Sequence, residues 1–241
     1  MILTDDFSTD PSSRWSTIFG TAPTWDSTNL ELDCDTTADF IHRYTANDPG
    51  NLGHECQVTF ILGSVRCFGP AVRMANDGGN DDCYAAYWDT GNSVVIARFD
   101  NGVRTVLNAL SLTAASGDWV TLRLRAEASG SDTLLTVYGV NHGTTKPSSA
   151  PAWETTSLGT ATDPAASDHA AARHGSCGIG GRPGASDYDT RHDFWTARIN
   201  DEVGGGGETI TMDKWLGRQE VRRRPHAAMV PSGFIPPDRN D

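Results

Sequence analysis

Acidic side chains are the commonest chemically useful groups in this chain: 24 Asp and 7 Glu among 241 residues. Hydrolysis of a glycosidic bond takes two carboxyl groups flanking it, one protonating the leaving oxygen and the other acting as base or nucleophile. Alternating glutamates on one strand would supply such a pair. The seven here (Glu31, Glu55, Glu127, Glu154, Glu202, Glu208, Glu220) never come closer than six positions, and the nearest two straddle a run of four glycines. A pair of aspartates from separate loops stays open. No Gly-x-Ser-x-Gly elbow, His-Glu-x-x-His run or Walker loop occurs. The expectation is a protein without catalytic residues.

Two binding chemistries remain. The run Asn76-Asp77-Gly78-Gly79-Asn80-Asp81-Asp82 gathers oxygen ligands, and Asp77, Asp81 and Asp82 would suit a hard cation such as Ca2+. It lacks the EF-hand spacing and its bidentate Glu, and reads better as a solvated turn. Asp5, Asp6 and Asp193 would also meet if the first and last strands paired. No other cofactor is called for. Sugar recognition sets an aromatic face against the apolar side of a pyranose and adds a few fixed polar groups. In the extended run Tyr84–Asp89, Tyr84, Ala86 and Trp88 share one face while Tyr87 takes the other. Tyr87 and Trp88 are the candidate stacking residues, with Arg73, Arg98 and Arg123 as polar companions. The alternative is that the aromatics fill a core and the arginines make surface pairs.

The elements that would position these residues are strands. Between Tyr84 and Val140 four extended runs follow one another, with turns at Thr90-Gly91-Asn92, Asp100-Asn101-Gly102 and Ala128–Asp132. Val120, Leu122 and Leu124 alternate with Thr121, Arg123 and Arg125, which means one buried and one wet face. Asn101-Gly102 tolerates the positive φ angles of a tight hairpin. Further strands are expected at 2–7, 39–44, 56–62, 66–74, 177–181 and 193–199, with weaker extension at 17–19 and 24–32. Residues 163–173 read as a short surface helix from their alanines. An antiparallel meander forms the core.

Net charge is −12 at pH 7, a poor match for nucleic acid, whose phosphates need a positive face. No apolar run reaches 18 residues, so no helix inserts in a membrane. The start, Met1-Ile2-Leu3-Thr4-Asp5-Asp6, has neither basic residues nor an apolar stretch, and predicts synthesis in the cytosol without a leader. The 5 cysteines form no C-x-x-C pair and read as reduced, buried thiols, with a Cys67–Cys83 bridge as the alternative.

Gly204–Gly207 marks the domain boundary. It separates a body, 1–203, from an arm, 208–241, with five acids and six bases, so the body carries about −13. The arm holds Trp215, Leu216, Val221, Phe234 and Ile235 around Arg222, Arg223 and Arg224. It is too short for a core of its own and too apolar for a solvating tail, which predicts an arm that lies on a partner.

The opening Asp5-Asp6-Phe7-Ser8 with Trp15, the middle Tyr84-Ala85-Ala86-Tyr87 through Gly117-Asp118-Trp119-Val120, and the end Gly175–Gly180 with Asp193-Phe194 together resemble concanavalin A-like, laminin G-like domains. The resemblance covers about residues 3–201. It implies an all-β, two-sheet antiparallel jelly-roll sandwich with first and last strands paired, a fold used for sugar binding, sometimes for sugar hydrolysis, and in virions. The Glu-x-Asp-x-(x)-Glu strand of laminarinase-like members is absent. The arm is similar to those of bacteriophage structural proteins. That likeness implies a capsid- or tail-associated virion protein whose partners are other subunits, copies of itself or surface glycans.

Overall fold

A computed structural model describes residues 2–33, 40–45, 53–63, 68–76, 81–89, 93–100, 103–164, 176–181 and 191–200. Among these there are fifteen strands and no helix: β1 (Ile2–Asp5), β2 (Trp15–Gly20), β3 (Thr24–Asp26), β4 (Glu31–Asp33), β5 (Phe40–Tyr44), β6 (Gly53–Ile61), β7 (Gly69–Asn76), β8 (Asp81–Asp89), β9 (Ser93–Asp100), β10 (Val103–Ser111), β11 (Trp119–Ser129), β12 (Asp132–Gly143), β13 (Ser157–Asp163), β14 (Ser176–Gly181) and β15 (Arg191–Asn200). They form two antiparallel sheets. One runs β13-β12-β11-β6-β15-β4-β3, with β1 also on β15, and the other runs β10-β9-β8-β7-β14-β5-β2. First and last strands pair as expected, Asp5 opposite Trp195 and Thr4 opposite Thr196. The described residues form an all-β jelly-roll sandwich.

Side-chain alternation explains what lies between the sheets. Val120, Leu122, Leu124 and Ala126 of β11 point inward, as do Val58 and Phe60 of β6 and Tyr84, Ala86 and Trp88 of β8. Each large apolar side chain buried there contributes about 1.5–3 kcal/mol before ordering costs. An aromatic box closes one end: Trp15 meets Trp195 edge-on at 5.0 Å, and Tyr44 stacks on Trp195 at 4.8 Å. Cys56 and Cys177 are buried thiols in this core. Burial pushes the Cys177 thiol up to about 12 and raises that of Cys56 as well.

In the second sheet, strands β7, β8 and β9 bury apolar side chains on both faces. Ala71, Met74, Ala85, Tyr87, Val95, Ala97 and Phe99, on the side away from the core, form a second buried cluster. Gly69 lets two strands approach, since a Cβ there would sit 2.0 Å from the Ala86 carbonyl oxygen.

Several expectations need correction. Asp163 ends strand β13 and does not open a helix; the rest of the expected helix, beyond Pro164, lies outside the described residues. Residues 157–163, outside the expected strands, pair with β12. A bulge between His192 and Phe194 turns His192 inward, where its ring packs on Phe60 and its Nε2 meets the Phe68 carbonyl at 3.1 Å. The Asn101-Gly102 turn, the glycine link and the arm, with Trp215, Leu216, Val221, Arg222, Arg223, Arg224, Phe234 and Ile235, lie outside the described residues. So do Cys67 and Asp77.

Candidate functional site

The residues expected to share a ligand are scattered by the fold. Trp88 points into the core and is 5% exposed, which corrects its assignment as a stacking surface. Tyr87 is on the opposite face and fully buried, its hydroxyl accepting a hydrogen bond from Arg104. Arg73 is buried between the sheets, with Nη1 donating to Thr133 at 2.7 Å. Its φ of 53° aims it there, across a bulge in β7. Arg98 pairs with Asp163 at 2.7 Å, and Asp163 also accepts from Tyr84. Arg73, Arg98, Tyr84, Thr133 and Asp163 thus make a polar cross-link between the sheets.

Arg123 belongs to the other sheet, on its outward face. It pairs with Glu55, and its guanidinium lies 4.4 Å from the centre of the Tyr138 ring and 5.1 Å from that of Trp153. Arg123 Nη1 also donates to the Glu154 carbonyl at 2.6 Å. Asp82 is buried within β8. Among the described residues no cluster of three His, Cys, Asp or Glu side chains is arranged to hold a metal ion.

Among the described residues, a cleft of about 600 Å³ that can receive a ligand lies at the junction of β1, β15 and the strap 144–156. That volume is within the roughly 300–1,000 Å³ of small-molecule sites. Phe194 lines it, half-buried, with the hydroxyls of Thr4, Thr9, Ser148, Ser149 and Thr196 and the charged groups of Asp5, Asp6 and Arg14.

Each wall is held by identifiable bonds. Asp5, 6% exposed, accepts from the Phe7 amide at 3.0 Å, the Trp15 indole at 2.8 Å and Arg14 through both carboxylate oxygens. Arg14 in turn donates to Thr9 Oγ1, the Thr9 carbonyl and the Asp10 carbonyl. Its pKa is raised, chiefly by those Asp5 hydrogen bonds. Phe7 adopts φ 51°, turning the chain sharply after β1, and its carbonyl accepts from the Trp25 indole. Asp6 is exposed, and its pKa is lowered by side-chain and backbone hydrogen bonds from Ser8.

The strap is pinned on either side of the cleft wall. At one end Lys146 Nζ reaches Glu31 at 2.7 Å and Asp193 at 3.2 Å. Burial opposes the Lys146 charge, but the two carboxylates outweigh it and its pKa rises. Burial dominates at Asp193 and raises its pKa despite Lys146. At the other end Gln57 bonds the Pro151 and Ala152 carbonyls and the Glu154 amide. Ser148, Ser149 and Ala150 hang exposed between these anchors.

Pairing of the first and last strands was legible, and it brings Asp5 and Asp6 beside Phe194 and Thr196. Nothing in the sequence marks Ser148 and Ser149 as a wall, because a strap has no periodicity.

No protein-family model and no curated protein matches the sequence. Solved lectins share its fold. Lectin II from Ulex europaeus aligns at 12% identity and TM-score 0.52, over 82% of this chain and 97% of that one. The winged bean acidic lectin, solved with methyl-α-D-galactose, gives 10% identity and TM-score 0.53 over the same shares, 82% and 97%. Peanut lectin gives 9% and 0.50 over 84% and 99%. The body has the jelly-roll fold of these lectins. At these identities the likeness speaks for the fold alone, and the Phe194 cleft rests on this chain's own residues.

Proposed function

We propose that this protein is a non-enzymatic, lectin-like carbohydrate-binding protein whose saccharide is seated in the Phe194 cleft. The observation that carries the reading is the lining itself. One half-buried aromatic residue, Phe194, stands among five hydroxyl-bearing side chains, two aspartates and an arginine, beside the paired strands β1 and β15. An aromatic ring covers the apolar face of a pyranose while hydroxyls and carboxylate oxygens meet its polar rim. The lectin neighbours, two of them solved with a galactose sugar by name, support carbohydrate binding, while its place in the cleft rests on the lining alone.

The test is retention of the full-length chain on an array of surface glycans. Binding is expected, and Phe194→Ala should weaken it about tenfold, on the order of 1.4 kcal/mol, without changing the melting temperature by more than a few degrees. A chain that retains no glycan, or a variant that binds as tightly as the parent, removes the reading.

A second reading adds to the first and rests on residues 208–241. Their apolar strip around Arg222, Arg223 and Arg224 suits docking onto neighbouring subunits, as in a bacteriophage capsid or tail, with the sandwich displayed outward. Deleting 208–241 should leave a folded sandwich that no longer joins its assembly. Normal incorporation of the truncated chain would rule this out.

A further inference from the structure

We infer, building on the saccharide-binding reading, that the cleft selects neutral sugars and rejects those carrying a carboxylate, sulfate or phosphate. Anionic sugars are ordinarily held by arginine, whose planar fork matches an oxyanion. Among the described residues lining this cleft, Arg14 is the cation, and its donors are spent. A guanidinium has five N–H groups. Here Nε donates to Asp5 Oδ2 at 2.9 Å, Nη2 to Asp5 Oδ1 and the Thr9 carbonyl, and Nη1 to Thr9 Oγ1 and the Asp10 carbonyl. Those are five acceptors for five donors. Its charge is likewise neutralised by Asp5, which is itself nearly inaccessible.

Asp6 is the exposed carboxylate of the lining. It is bonded to Ser8 and feels the Arg14 charge, but among the described residues no salt bridge holds it. The nearby Lys146 is already engaged by Glu31 and Asp193. The whole chain adds a negative field, at −12 overall. An incoming anion therefore meets like charge and finds no free guanidinium. A neutral saccharide meets hydroxyls, an aromatic residue and a carboxylate that accepts from its own hydroxyl groups.

The test compares a neutral oligosaccharide retained on the array with its uronic-acid counterpart, in which the –CH2OH of each sugar is a carboxylate. Titration calorimetry on the full-length chain is run at low and at 0.5 M salt. The uronate form should bind at least tenfold more weakly at low salt, and the gap should narrow at high salt. Asp6→Asn should shrink the gap to within about threefold. The inference fails if the uronate binds as tightly as the neutral sugar, or if Asp6→Asn leaves the ratio unchanged. If neither sugar binds, the saccharide reading falls and takes this inference with it. Binding of both with equal affinity leaves that reading standing and overturns the selectivity alone.

Discussion

The Tyr84 hydroxyl donates to Asp163 Oδ2 at 2.6 Å, across the space between the two sheets. Asp163 is fully buried and takes Arg98 on its other oxygen, so a carboxylate from β13 ties down two residues of the facing sheet. Register makes this possible, because Tyr84 stands opposite Arg98 in one sheet and Thr133 opposite Asp163 in the other. Tyr84→Phe should destabilise by about 1–3 kcal/mol, the cost of one lost buried hydrogen bond. Asp163→Ala should cost more, about 3–5 kcal/mol, because it strands the Arg98 charge. Urea unfolding of both variants measures this, and equal or negligible losses would contradict the cross-link.

Acid should weaken the fold through two histidines. Burial pushes both His42 and His192 down to about 4 from an ordinary 6.5. Between those values the unfolded state binds more protons than the folded one, so stability is intact above about 6.5 and falls as pH drops toward 4. Each histidine accounts for a loss on the order of 3 kcal/mol at the low end. Denaturation midpoints at pH 7.5, 6 and 5 should decline in step; a flat profile over that range would show that the imidazoles are not buried neutral.

Gly69 is set against backbone, not against a side chain that could swing away. Its Cβ would lie 2.0 Å from the Ala86 carbonyl oxygen and 3.2 Å from the Tyr87 Cα. Gly69→Ala should therefore cost more than about 3 kcal/mol or prevent folding. Gly130→Ala, with open space around it but φ +64°, should cost only about 1 kcal/mol. Thermal melts of the pair distinguish a steric from a conformational penalty.

Asn108 guards an open edge. Its Nδ2 donates to the Thr160 carbonyl at 2.7 Å and its Oδ1 accepts from the Ala109 amide, joining β10 to β13 beside a bulge. Val103 and Val106 nearby are 66% and 47% exposed. Asn108→Ala should free strand-edge groups next to these valines and promote self-association. Sedimentation at rising concentration would reveal it, and unchanged mass would count against a guarding role.

Strand alternation was readable wherever one face was apolar. Val120, Leu122 and Leu124 point into the core as their spacing requires, and Tyr84, Ala86 and Trp88 fall opposite Tyr87. Period two sorts residues by face but cannot tell which face is wet. In β8 neither is, so an aromatic pair chosen for exposure had none to offer. Arg73 misled for a related reason, since an arginine between polar partners can be buried, and the half-buried Arg98 is paired with Asp163. The cleft depends on strands nearly two hundred residues apart and on a strap without periodicity. Only the expected pairing of β1 with β15 hinted at it.

Cys56 and Cys177 sit sealed between the sheets, with thiols held protonated by their surroundings. A maleimide reagent needs a thiolate it can touch, and the closed sandwich grants neither access nor ionisation. Modification of these two sulfurs must wait for the layers to part, so their labelling rate, read peptide by peptide, is a stopwatch for how often this body opens.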